Sequence, residues 1–170
     1  MTVPLQQREL FRVLLQHRVE FLIIGAAAVA VHGFSRGTKD LDVVPGPSLE
    51  NLQRLHDALV ELEAQPIDIG DFDPAEFAEL SVENLAGGAS WCLATKHGRL
   101  DVLQYVAQVL ETADDFARLA ANAVDVDTPD GRLRVIGFED LIAFKYAAGR
   151  PQDLVDIRAL YEARGDTGLR

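Results

Sequence analysis

The chain has 170 residues, 48% of them hydrophobic, which is enough for one substantial core and too short for two ordinary domains. Its 27 acidic and 16 basic residues leave a net charge of −11, which opposes non-specific binding to nucleic acid or anionic membranes, so a nucleic-acid partner would need a local basic patch. Cys92 is the only cysteine, which excludes an internal disulfide and a cysteine-clustered zinc site and suits a reducing cytoplasm.

Pro4 falls where a first helical turn tolerates it, and Leu5, Phe11, Leu14 and Leu15 recur at roughly helical spacing, predicting an opening amphipathic helix up to His17. Glu9 and Glu20 distinguish this stretch from a short basic leader. The apolar run at 21–31 falls well short of the roughly 20 residues that span a membrane, so it is read as core, with no membrane partner. Within it, a β-rich run at 21–24 is stopped by Gly25, and 26–32 has the alanine content of a closely packed helix. Gly33 and Gly37 open a loop before a second strand at Leu41, Val43 and Val44, which Pro45-Gly46-Pro47 ends. Ser48 is a good N-cap for a long amphipathic helix marked by Leu49, Leu52, Leu55, Leu59, Val60 and Leu62.

Residues 65–88, rich in Asp, Glu, Pro and Gly, read as an irregular surface insertion with a short helix at 74–80. Two strands, 91–95 and 99–105, are joined at Lys96-His97-Gly98, and Thr112 or Asp114 can cap a helix through Phe116 and Leu119. Asp130-Gly131 turns a second hairpin between 124–126 and 133–135. Helices at 138–148 and 151–163, divided by Gly149 and Pro151, finish the chain. The whole is α/β, a mixed sheet flanked by helices, in a single domain with its core at about 20–137 and two C-terminal helices at about 138–163. Trp91, Phe138 and Phe144 are read as core, His32 as a packed or capping side chain, Cys92 as inert and Asp156 as a surface residue.

Asp-x-Asp occurs three times, and context separates the copies. Asp71/Asp73 lies in the acidic loop, where solvated charge and helix capping explain it. Asp125/Asp127 fits the outer face of a hairpin strand whose Val124 and Val126 point inward. Asp40/Asp42 continues an alternation from Arg36 and Thr38, so an extended segment puts all four on one face, opposite Leu41 and Val43. Adjacent carboxylates repel unless a cation lies between them or one is protonated. Asp101, set between Leu100 and Val102, supplies a third carboxylate, and three oxygen ligands from two strands suit Mg²⁺ with its remaining ligands from water and substrate phosphates. Gly25, where a strand enters a helix, aims backbone N–H groups at an anion.

These residues carry a resemblance. The segment Phe21-Leu-Ile-Ile-Gly25-Ala26, with His32-Gly33, Arg36-Gly-Thr38-Lys and Asp40-Leu-Asp42-Val, resembles the signature of the DNA polymerase beta-type nucleotidyltransferase superfamily. It is most similar to the small prokaryotic nucleotidyltransferases that include the abortive-infection (AbiEii/MenT-like) toxins, and Arg99-Leu-Asp101-Val-Leu takes the place of that family's later aspartate. Lys145-Tyr-Ala-Ala-Gly-Arg150-Pro-Gln152-Asp153-Leu-Val-Asp156 resembles the toxin-like group's late lysine and Arg-x-Lys-Asp segment. The resemblance runs from about residue 20 to 160 and is concentrated in these stretches.

It implies an enzyme that moves a nucleoside monophosphate from an NTP to an acceptor hydroxyl: a tRNA 3′ end, a protein side chain or a small molecule. Asp40, Asp42 and Asp101 would be the catalytic, metal-binding carboxylates for two Mg²⁺ ions, with Mn²⁺ as a substitute. Gly25 and Ala26 would cradle phosphates, with Thr38 beside them and Arg36, Lys145 and Arg150 as counter-charges. A toxin of this kind would have an antitoxin or other partner protein; the charge of −11 speaks against an extended nucleic-acid footprint. Ala26 stands where the family usually has Gly or Ser, and Gln152 where the toxin-like group often has Lys. These departures motivate a second reading, a non-catalytic nucleotidyltransferase-like domain that binds a nucleotide or partner and regulates. A metal-dependent phosphohydrolase using the same carboxylates is a third.

Overall fold

In the computed structural model, which describes residues 5–38, 40–67 and 79–165, the chain runs α1 (Leu5–Gln16), β1 (Phe21–Ile23), α2 (Gly25–Val31), β2 (Asp40–Pro45), α3 (Leu49–Glu61), β3 (Gln65–Pro66) and α4 (Val82–Ala86). It continues through β4 (Trp91–Thr95), β5 (Gly98–Val102), α5 (Ala113–Ala121), β6 (Val124–Thr128), β7 (Gly131–Val135), α6 (Phe138–Ala148) and α7 (Pro151–Ala163). The strands form one mixed sheet in the order β3-β4-β5-β2-β1-β7-β6. β1 and β2 pair antiparallel across the short α2, while β2 pairs parallel with β5 and β1 parallel with β7.

The period of two along β2 explains how the sheet both builds a core and carries charge. Leu41 and Val43 are fully buried, and the alternate positions Asp40 and Asp42 are only half-buried on the other face. β5 repeats the pattern, burying Leu100 and Val102 and turning Arg99 and Asp101 the other way. Register then sets Asp42 opposite Asp101. α1 packs on β2, β5 and α3, and α3 packs on β2 and α4, so that Leu10, Leu14, Leu55 and Leu59 meet the sheet's buried residues in one apolar cluster. α2 packs on β2 and α6, and α6 on α7.

Ser48 caps α3 as its position predicts, accepting the Asn51 N–H at 3.2 Å. Asn51 itself is buried, donates to the carbonyls of Glu20 (2.8 Å) and Gly46 (2.9 Å), and accepts the Glu20 N–H at 2.6 Å, joining α3 to the loops beside β1 and β2. Asn51→Ala leaves three backbone groups without that partner, and urea unfolding is expected to show a loss of about 2 kcal/mol. A loss below about 0.5 kcal/mol would mean that solvent replaces the amide.

Several boundaries differ from the sequence expectation. The helix expected at 74–80 and the Asp71/Asp73 pair lie in or next to residues 68–78, outside the described residues apart from its last two positions, which are not helical. The rest of the 65–88 stretch is more regular than expected: β3 pairs with β4 at the sheet edge, and α4 is capped by Ser81. The second strand of the first hairpin ends at Val102, because after the Leu103 N–H bonds the Val43 carbonyl the chain turns, and Val106 and Leu110 exchange two backbone hydrogen bonds of 2.8 Å. Val124 does not point inward; β6 is the sheet edge, paired only with β7, and Val124 is exposed. Thr112, not Asp114, caps α5, in a capping box with Asp115. Among the described residues, no helix is long and apolar enough to cross a membrane.

Candidate active site

A cleft of about 530 Å³ opens over the charged face of β2 and β5, and its walls bring together Gly25, Ala26, Arg36, Thr38, Asp40, Asp42, Asp101, Lys145 and Arg150. All nine were singled out in the sequence. The residues come from β2, β5, the start of α2, the loop before β2, and the α6–α7 junction.

Asp42 is the most perturbed group there. Burial pushes its carboxyl up to about 6, the like charges of Asp101 and Asp40 push the same way, and Lys145 and Arg150 oppose them. The carboxylate fits because Gly25 has no side chain. Gly25 sits at φ +63°, and a Cβ built there would lie 2.0 Å from Asp42 Oδ2. Asp101 accepts from Arg99 Nε at 3.0 Å. Thr38 holds the strand start: its hydroxyl donates to the Asp40 carbonyl (3.1 Å) and accepts the Asp40 N–H (3.2 Å), while Gln7 Nε2 donates to that same carbonyl at 3.1 Å.

The cations on the facing wall are held by α7. Lys145, only 4% exposed, donates to Asp153 Oδ1 at 2.9 Å and Asp156 Oδ2 at 2.6 Å. Arg36 forks onto both oxygens of Asp156 (2.9 and 3.0 Å), and Gln152 donates to Asp156 Oδ1 at 3.0 Å. Arg150 donates to Asp153 from its side chain at 2.7 Å and from its backbone N–H at 3.2 Å. Asp156 is therefore no surface residue. It is fully buried, because two cations satisfy its charge and because Asp153, Asp156, Ile157 and Leu160 form the inward stripe of α7. That helical spacing was the available signal. Burial alone would raise the pKa of Asp153 and Asp156, but the hydrogen bonds from Arg150 and Lys145 to Asp153, and from Arg36, Lys145 and Gln152 to Asp156, hold both below the usual range.

Other residues singled out in the sequence have structural surroundings. His32 Nε2 lies 2.7 Å from the Ile136 carbonyl and its ring meets Phe138 edge-on, as expected of a packed histidine. Trp91, Phe138 and Phe144 are buried. Asp125 and Asp127 are exposed and face Arg132 and Arg134 across the hairpin. Cys92 stands opposite Asp101 in register, and burial pushes its thiol up.

Three carboxylates on neighbouring strands are a hard-oxygen donor set of the kind a divalent cation takes, and the mutual repulsion felt at Asp42 is what such a cation would relieve. As placed, with Asp101 engaged by Arg99, no three His, Cys, Asp or Glu side chains among the described residues converge as a metal cluster. The arrangement can thus set carboxylates against cations across a cleft large enough for part of a nucleotide.

Solved structures share this fold. The chain is similar to the lincosamide antibiotic adenylyltransferase LnuA, solved with lincomycin bound, at 12% identity and a TM-score of 0.61, covering 95% of this chain and 98% of that one. It is similar to ANT(2″)-Ia in complex with adenylyl-2″-tobramycin at 14% identity and a TM-score of 0.56, covering 94% and 87%. A candidate nucleotidyltransferase from Thermotoga maritima matches at 14% identity and a TM-score of 0.55, covering 92% and 90%. No curated protein sequence matches. At the sequence level, residues 7–161 match the family model "nucleotidyltransferase of unknown function" (DUF6036), and the chain belongs to that nucleotidyltransferase family.

Proposed function

We propose that this nucleotidyltransferase moves a nucleoside monophosphate from an NTP to an acceptor hydroxyl, with Asp40, Asp42 and Asp101 holding Mg²⁺. The observation that carries the reading is the meeting of these carboxylates, Asp42 opposite Asp101, with Gly25 and the Arg36, Lys145 and Arg150 wall in one cleft. In the transfer, the acceptor oxygen bonds to the α-phosphorus as the bond to the α–β bridging oxygen breaks, pyrophosphate leaves, and the hydroxyl proton passes to a carboxylate. Asp101 is the carboxylate assigned to that proton. Two Mg²⁺ ions, or Mn²⁺ in their place, would supply the charge that the attacking and leaving oxygens need. Gly25 and Ala26 begin a helix whose first-turn N–H groups face the β- and γ-phosphates in this reading, with Arg36 and Arg150 as counter-charges.

For the acceptor we favour a small hydroxyl compound, as in the fold neighbours solved with lincomycin and with adenylyl-2″-tobramycin. A tRNA 3′ end or a protein side chain, with a toxin role and a cognate antitoxin, is the reading that the Arg150–Asp156 stretch supports. Gln152 bears on it, since it stands in place of a lysine and spends its amide on Asp156.

The test is incubation with each α-³²P-labelled NTP, Mg²⁺ and separate pools of small metabolites, RNA and protein, beside Asp40→Ala. The expected result is label in one acceptor pool with the intact protein and about 10³-fold less with the variant. NTP binding without label in any pool would instead favour a regulatory domain. Release of nucleotide products into water alone would favour a phosphohydrolase.

A further inference from the structure

The strand order gives the cleft two ends. β5 lies on one side of β2, and β1, leading into Gly25, lies on the other. If phosphates sit at Gly25, in-line displacement puts the leaving pyrophosphate on that side of the α-phosphorus and the acceptor on the β5 side. Three residues past the end of β5 stands Tyr105, the one exposed aromatic ring among the described residues that line the cleft, at 56% exposure.

The chain that carries this ring is held firmly. Val106 and Leu110 close the turn with two hydrogen bonds, the Tyr105 hydroxyl donates to Glu111 at 3.4 Å, and the Gln108 N–H donates to the same carboxylate at 2.8 Å. The Glu111 N–H donates in turn to Asp115, the capping-box residue of α5. Gln108 takes φ +65°, a conformation that costs a non-glycine residue energy and is retained where surrounding structure enforces it. A large ring left in solvent, fixed in a cleft wall by a strained turn, is arranged as a preorganised contact surface.

The charges around it select against polynucleotides. Glu111, which accepts from the ring's hydroxyl, is exposed, and the cations Arg99 and Arg118 are paired with Asp101 and Asp140. Phosphates of a strand arriving here would meet carboxylates, whereas hydroxyl and amino donors would meet acceptors.

We infer that Tyr105 is a specificity-determining platform on which a small ring alcohol, neutral or cationic, stacks to present its hydroxyl to the cleft carboxylates. The inference rests on the transferase reading and names its acceptor class. The test uses protein saturated with Mg²⁺ and a non-hydrolysable ATP analogue, as wild type, Tyr105→Ala and Tyr105→Phe. Saturation-transfer NMR and titration then follow methyl glucoside, glucosamine, a glucosamine disaccharide and a single-stranded RNA 12-mer. Expected is binding of at least one ring alcohol, weakened at least tenfold in Tyr105→Ala and within twofold of wild type in Tyr105→Phe, with analogue affinity unchanged in all three. Equal binding to Tyr105→Ala, binding of RNA alone, or binding of none of the probes would overturn it. Loss of analogue affinity in Tyr105→Ala would also overturn it, by placing the nucleobase on the ring. Failure of the analogue to bind wild type would overturn the transferase reading first.

Discussion

Gly25→Ala is expected to reduce transfer to below about one hundredth of wild type and to destabilise the fold by about 2–4 kcal/mol. Two costs combine at this position. An alanine at φ +63° is strained whatever its surroundings, and its Cβ would overlap Asp42 Oδ2 at 2.0 Å, so the carboxylate must swing away from the place its neighbours define. Moving Asp42 also moves the donor set it shares with Asp40 and Asp101, so binding of Mg²⁺ and NTP should fall together with stability. Thermal melting with and without Mg²⁺·ATP checks both. Gly37→Ala is the control, since a Cβ there meets nothing within 4 Å and the backbone is not left-handed; its melting temperature should stay close to wild type. If Gly25→Ala melted like Gly37→Ala and still bound Mg²⁺·ATP, the close approach would have no functional meaning.

Asp42→Asn should lower transfer about 10³-fold and at the same time make the metal-free protein more stable above pH 6. The ordinary carboxyl value of 3.8 is raised to about 6 in the fold, first by burial and then by Asp101 and Asp40. The folded protein therefore holds this proton more tightly than the unfolded chain. The group's stabilising contribution is fully present below about pH 3.8 and is lost as the pH rises through about 6. Asparagine cannot ionise, so at pH 8 the variant should exceed wild type by about 1–3 kcal/mol, with the gap closing toward pH 4. Mg²⁺ should reverse the order by stabilising wild type more than the variant. Urea unfolding at pH 4 and pH 8, with EDTA or with Mg²⁺, gives the four values needed. A variant no more stable than wild type at pH 8 in EDTA would remove the argument that these carboxylates await a cation.

Much of this arrangement is legible in the sequence because it rests on short-range chemistry. Pro and Gly divide α6 from α7, Ser48 starts α3, and period-two alternation identifies β2 as a strand with an apolar and a charged face. The carboxylate set could be assembled from alternation and resemblance together. What alternation could not supply is the pairing of β2 with β5, since nothing within either strand states its neighbour. The buried cluster around Asp156 was misread for a related reason: a single carboxylate is soluble by default, and only its contacts with Arg36, 120 residues away, and Lys145 make burial favourable. The two-residue β3 escaped notice because so short a strand exists only through its pairing with β4.

The parallel joining of β1 to β7 and β2 to β5 bears on how the protein is made. Gly25, Arg36 and Asp42 precede their partners in the chain: β1 has no β7 beside it until residues 131–135 have been translated, and Arg36 no Asp156 until α7 has. A chain emerging from the ribosome therefore carries the Asp-x-Asp strand without the wall that faces it from the appearance of β2 until that of α7. Assembly of the cleft thus waits on α7, so products of translation that stop before it hold the motif but not the site.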